Sequence, residues 1–202
     1  MGRGGDVDQS KRATLRRFAA LGAASPLVSI ASAEESTSDA PEAIAGYVAA
    51  TPGAHFSKIR DDLKLGTGET QHHLRELERS HSLESRKDGD YRRYFPANRF
   101  SEFEQVAFGY LRRETPRAMI IALLENPDLS AGELAESVGV SRPAISKYAA
   151  ALEDDGLLSR VDYTVENEET LLLLLVRYAE SFGEDAVRLA DRAPELMAYD
   201  PE

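Results

Sequence analysis

The chain has 202 residues, 42% of them apolar, which is enough for one large domain or two small ones with tails. A formal charge of −11 argues against a uniformly basic nucleic-acid binder, and the absence of cysteine excludes disulfides and thiolate metal sites. The charge is uneven: residues 51–100 hold 10 Lys/Arg against 8 Asp/Glu (net +2) and all four histidines, 115–165 hold 4 against 8 (net −4), and 166–202 hold 3 against 10 (net −7).

Residues 10–33 place a basic stretch before a mildly apolar one, and Ala31-Ser32-Ala33 has the form of a cleavage site. Lys11-Arg12 and Arg16-Arg17 resemble a degenerate twin-arginine export signal. Pro26 and four serines interrupt the apolar run, and it is too short to span a bilayer. Residues 1–41 are therefore expected to be a disordered or loosely helical cytoplasmic extension. Export or membrane attachment is the alternative. Residues 34–41 read as a linker.

Residues 52–85 align with 127–160 without a gap. Pro52 meets Pro127, Leu77 meets Leu152, Glu78 meets Glu153, and Ile59, Leu63 and Leu65 meet Leu134, Val138 and Val140. Each copy predicts an apolar helix, a Pro-containing turn, a short helix (55–64 or 130–137), a tight turn and a longer helix (68–80 or 142–154). In the second copy Gly139 suits a left-handed helix end, Ser141 an N-cap, and Pro143 the first turn of the next helix. Ile145, Ala149 and Leu152 form a buried stripe, with Arg142, Ser146 and Lys147 opposite. Three helices with such a turn make a helix-turn-helix unit, whose last helix enters the DNA major groove.

In the first copy LESRKDGDYRRYFP follows the long helix. Asp88-Gly89 predicts a two-residue hairpin turn of type I′. Arg86, Lys87, Arg92 and Arg93 flank it, as in a wing whose cations grip the phosphate backbone. A solvated surface hairpin is the plainer reading. The second copy ends in RVDYTVENEE, with one arginine and several acids.

Residues 99–114 predict a helix joining the two units, with Ser101 and Glu104 at capping-box spacing. Thr115 is expected to cap the following helix, with Pro116 at its first position. LLLLLV at 171–176 is apolar on every side, so it must be buried, either in the second unit's core or in a dimer interface. Gly183 is expected to end that helix, with another over 184–193.

PGAHFSKIRDDLKLGTGETQHHLRELERSHSLESRKDGDYRRYFP (52–96) resembles the winged helix-turn-helix of archaeal, especially haloarchaeal-type, transcriptional regulators related to the MarR and ArsR groups. ELAESVGVSRPAISKYAAALEDDGLLSR (133–160) is similar to the same superfamily. The resemblance implies a mainly α fold with small β wings, and binding to double-stranded DNA, often as a homodimer. It implies that Thr67, Glu69, Thr70, Gln71, His72 and Arg75 line the first recognition helix, and that Arg86, Lys87, Arg92 and Arg93 are wing contacts. Ser141, Arg142, Ser146 and Lys147 fall at the matching positions of the second unit. His81 departs from the pattern, standing where Gly is usual and where the second copy has Gly156. Lysine occurs only at 11, 58, 64, 87 and 147; an acidic, Lys-poor surface suits a high-salt cytoplasm, and a GC-rich genome equally favours arginine.

No metalloprotease, phosphate-loop or nucleophile-elbow motif is present, and His72 and His73 are adjacent and diverge on a helix. No enzyme activity, cofactor or metal is expected. The expected organisation is an extension (1–41), a winged helix-turn-helix domain (42–98), a linker helix (99–114), a second such domain (115–166) and C-terminal helices, a possible dimerisation element (167–202). The first domain is the expected DNA reader and the second auxiliary. A winged-helix module that binds protein rather than DNA is the other reading, suggested by the acidic second half.

Overall fold

The computed structural model describes residues 14–18 and 39–196. Ala31-Ser32-Ala33, Lys11-Arg12, Pro26 and most of the 34–41 linker lie outside the described residues. Residues 14–18 are helical: Leu15 is buried in the first unit's core, and Phe18 packs edge-on against Tyr47, with centroids 5.1 Å apart. The chain divides into two compact units, Met1–Ser101 and Glu102–Glu202.

In the first unit α1 (Ala40–Ala50) buries Ile44, Tyr47 and Val48. A short strand β1 (Ala54–His55) leads into α2 (Phe56–Asp62), and a tight turn leads into α3 (Thr67–Arg79). The hairpin β2 (Leu83–Asp88) and β3 (Tyr91–Pro96) follows. The three strands form an antiparallel sheet in the order β1-β3-β2. Ile59, Leu63, Leu74 and Leu83 fill the space between the helices and the sheet, so the apolar residues that define the repeat also form the core.

The hairpin turn corrects the sequence reading by one residue. Asp88 pairs with Tyr91, so Gly89 and Asp90 are the central residues rather than Asp88 and Gly89. Of the two, only Gly89 has a positive φ, of 58°. That is the sign pattern of a type II′ turn, which takes glycine first, not of type I′. Asp88 stays in the strand, where its carboxylate meets Arg93.

The second unit begins with α4 (Glu102–Leu111), the helix expected to act as a linker. It is built into this unit's core: Phe108 packs edge-on against Tyr178 and tilted against Phe182, with centroids 5.3 and 5.9 Å apart, and the Tyr110 hydroxyl donates to the Ala151 carbonyl at 2.8 Å and lies 2.6 Å from the Asp155 carboxylate. α5 (Glu114–Glu125) starts one residue before Thr115, with Arg113 as N-cap. Pro116 still falls within the first turn, where a missing N–H breaks no helical bond. α6 (Ala131–Val138), α7 (Arg142–Asp154), β4 (Leu158–Ser159) and β5 (Thr164–Val165) complete the second winged unit. α8 (Glu168–Arg177), α9 (Ala179–Phe182) and α10 (Glu184–Leu196) follow, with Gly183 between the last two. α8 buries Leu171, Leu174 and Leu175 but leaves Leu173 59% exposed. Arg117, itself buried, reaches Asp185 at 2.8 Å and donates to the Leu111 carbonyl at 3.1 Å, tying α5 to α10.

Backbone strain repeats with the sequence. Lys64 and Gly139 both adopt positive φ in the tight turn (56° and 74°), and His81 and Gly156 do so after the long helix (56° and 72°). The same backbone bonds close each turn, Leu65 N to Arg60 O at 2.9 Å and Val140 N to Ala135 O at 3.1 Å. They also close each helix end, Ser82 N to Leu77 O at 2.9 Å and Leu157 N to Leu152 O at 2.8 Å. His81 thus holds a conformation that disfavours any residue with a Cβ. Replacing it with glycine should relieve that cost and raise stability by up to about 1 kcal/mol, net of glycine's greater freedom when unfolded. A urea melt reads this directly, and a lower midpoint for His81→Gly would contradict it.

Candidate nucleic-acid interface

The surface of α3 is set by helical spacing. Thr67, Gln71 and Arg75 lie four residues apart, and His72 borders them, so all four share one exposed face. Glu69 turns back to accept from the Gly66 N–H at 3.2 Å, the one half of a capping box that a glycine N-cap allows. Thr70, expected on this face, is fully buried and its hydroxyl donates to the Gly66 carbonyl at 2.9 Å. It points to the core, one position off the exposed stripe, and drops out of the surface set.

The wing cations separate by strand alternation. Lys87 and Arg92 are cross-strand partners on the face shared with Ser85 and Tyr94. Arg86 and Arg93 pair on the reverse face, with Asp88 and Tyr91. Arg93 is a correction: it is only 3% exposed, ion-paired with Asp88, and donates to the Gly53 carbonyl at 2.9 Å. Its guanidinium holds the sheet together instead of facing outward. Arg92 is exposed but engaged, donating to Ser85 Oγ at 2.7 Å and to Glu78 Oε1 at 3.0 Å. Sequence reading missed Glu78 and Ser85, because helix-to-wing packing brings them together, not spacing.

Ion pairing thins the apparent positive charge further. Lys58 pairs with Asp62, Arg60 with Asp61, and Arg79 with Glu76. Arg75 and Lys87 have no ion-pair partner among the described residues, and both are exposed beside the α3 stripe and on the wing.

His55 joins α2 to the wing. Its Nδ1 accepts from the Lys58 N–H at 3.3 Å as the N-cap of α2, and its ring lies 4.8 Å from that of Tyr91. Burial, then the charges of Arg93 and Lys58, lower its pKa from the usual 6.5, against a smaller pull from Asp61. His73 is lowered too, by burial and then by His72, against Glu69, Glu42 and Glu76. Both folded pKa values lie below the unfolded ones. The associated stability is therefore complete above the unfolded pKa and is lost as pH falls through the folded values. The melting midpoint should drop between about pH 7.5 and pH 5.5. His55→Asn keeps a capping acceptor and should shrink that drop, leaving the part due to His73. An undiminished drop would remove His55 from the account.

In the second unit Ser141, Arg142, Ser146 and Lys147 are all exposed on α7. Ser141 caps the helix by accepting from the Ala144 N–H at 3.4 Å. The Arg142 guanidinium lies over Gly132, within 2.6 Å of where a Cβ would stand. Arg142 and Lys147 have no ion-pair partner among the described residues. The short hairpin differs from the first wing: Arg160 is turned toward Glu153, and Asp162 is held below the usual carboxylate range by the Thr164 and Ser159 hydroxyls.

The three-helix arrangement, the tight turn and the hairpin are thus present twice. A family model described as an N-terminal helix-turn-helix domain matches residues 38–108, and one described as winged helix-turn-helix DNA-binding matches 112–159. The chain carries two winged helix-turn-helix domains in tandem. This tandem winged helix-turn-helix protein is 28% identical over 89 residues to an uncharacterized HTH-type transcriptional regulator of Methanocaldococcus jannaschii. The match covers 44% of this chain and 22% of that relative, so the chain spans well under half of the relative's length. No solved structure matches. Among the described residues no helix is long and apolar enough to cross a membrane, and no group of three or more His, Asp or Glu is placed to hold a metal ion.

Proposed function

We propose that the protein is a sequence-specific, DNA-binding transcription regulator whose first unit is the principal reader. One observation carries this. In a unit where most cations are neutralised internally, Arg75 and Lys87 have no ion-pair partner among the described residues, one on the exposed α3 stripe and one on the wing. Gln71, His72 and Arg75 then face base edges, Thr67 lies at the helix start beside the backbone, and Lys87 with Arg86 meets phosphate. The second unit is auxiliary: Ser141, Arg142, Ser146 and Lys147 suit a weaker contact, and its hairpin lacks a free cation. A homodimer is proposed through α8, where Leu173 is exposed. The relation to the MarR and ArsR groups, a high-salt cytoplasm and a non-enzymatic role belong to the same proposal.

Fluorescence anisotropy with duplex DNA, titrated with salt, tests it. The logarithm of the binding constant should fall linearly with that of salt, by roughly 0.9 per phosphate contact. Absence of salt-dependent binding at low ionic strength would overturn the reading. It would instead favour a protein-binding role for the acidic second unit, whose hairpin tip carries Val161 at 94% exposure.

A further inference from the structure

The Arg92 guanidinium is held by its own protein along the fork it would offer a phosphate. Nε donates to Ser85 Oγ at 2.7 Å and Nη2 to Glu78 Oε1 at 3.0 Å, while the Ser85 hydroxyl donates to the same carboxylate oxygen at 2.5 Å. The three side chains close a ring between the C-terminal end of α3 and the wing. Glu78 is mostly sheltered, its side chain 22% exposed, whereas that of Arg92 is 63% exposed. Arg75 is one turn before Glu78 on α3, and Lys87 stands opposite Arg92 across the strands. Burial, then the charge of Glu78, raises the pKa of the Tyr94 hydroxyl against the charges of Arg92 and Arg75, so these side chains share one neighbourhood. Glu78 is thus a carboxylate bonded to one exposed cation and one helical turn from a second, on the face the proposed function gives to DNA.

We infer that Glu78 is an affinity-setting residue: an internal mimic of phosphate that withholds Arg92 from DNA. The inference rests on the DNA-binding reading. A bidentate arginine–phosphate contact needs two parallel N–H groups, and one such fork is already filled. To use it, DNA must displace the carboxylate and leave it beside a phosphate of the same sign. The ring also relieves repulsion between Lys87 and Arg92, since like charges opposite each other weaken a strand pair. A tighter wing grip is therefore exchanged for a folded, neutralised one.

The test uses the full chain and a short fluorescent random-sequence duplex, because the phosphate term is independent of sequence. Glu78→Gln keeps an acceptor for Ser85 and removes the charge. It should bind several-fold to about tenfold more tightly near 0.1 M salt, with a salt slope steeper by about 0.9. Arg92→Ala should cost about twofold or less in the wild-type background but about tenfold beside Glu78→Gln. Equal or weaker binding by Glu78→Gln, with unchanged melting, overturns the inference. If that variant melts early, Arg92→Ala alone decides: a slope flattened by about 0.9 in the wild-type background overturns it, and an unchanged slope supports it. Lys87→Ala separates the two failures. If wild type binds and Lys87→Ala weakens it, only the role of Glu78 is at stake; if wild type does not bind, the DNA reading falls and the inference with it.

Discussion

Arg93→Ala should destabilise the first unit by about 2–4 kcal/mol while leaving the salt dependence of DNA binding unchanged. Removing one member of a buried pair costs more than the pair contributes, because the remaining charge stays desolvated and alone. Arg93 is almost fully buried, and its loss removes both the ion pair to Asp88 and the donor to the Gly53 carbonyl. Asp88 keeps some solvent contact, its side chain 21% exposed, so the lower part of the usual range applies. The cation also lies 5.6 Å from the Tyr91 ring, so the wing loses packing as well as charge. A urea melt followed by circular dichroism reads the stability. Anisotropy in a temperature range where the variant is folded reads the contact. A flattened salt slope with an unaltered melt would return Arg93 to the DNA-facing set.

Arg93 also marks how far sequence reading reaches. The fold was legible because the repeat at Ile59, Leu63 and Leu65 against Leu134, Val138 and Val140 reflects the core itself. Positive φ at His81 was legible by comparison with Gly156. Wing residues were legible as a cluster but not as individuals. Strand alternation puts Arg92 and Arg93 on opposite faces, the turn register sets which β2 residues they meet, and only the packing shows that Arg93 is buried and Arg92 exposed. The expected Asp88-Gly89 turn leaves that register one residue out, whereas the observed Gly89-Asp90 turn fixes it. Thr70 was misplaced for the helical counterpart of that reason: it stands between the exposed Glu69-side turn and Gln71, yet its hydroxyl is drawn back to Gly66. Nor does spacing reveal neutralisation. Glu78 and Arg92 are 14 residues apart and meet only once helix and hairpin have packed. Cation counts therefore overstate the charge that this surface presents.

Arg75 and Lys87 should fail in different ways, and the difference locates base reading against backbone grip. Arg75 sits on the α3 stripe that would enter the major groove, where arginine reads guanine through two parallel bonds. Arg75→Ala should cost about 1–3 kcal/mol on the preferred site, an order of magnitude or more in affinity, and far less on random duplex, so that specificity relaxes. Lys87 is a point charge on the wing. Lys87→Ala should weaken every duplex about equally and reduce the salt slope by about 1. In high salt the counterion term shrinks, so Arg75 should carry more of the remaining affinity and Lys87 less. Anisotropy on a selected site and on random duplex, each across a salt series, separates the two. If Arg75→Ala weakens both duplexes equally, α3 is docked through phosphate and the base-reading role moves to Gln71 and His72. If Lys87→Ala leaves the slope unchanged, the wing does not touch the backbone, and the grip must come from elsewhere on the first unit.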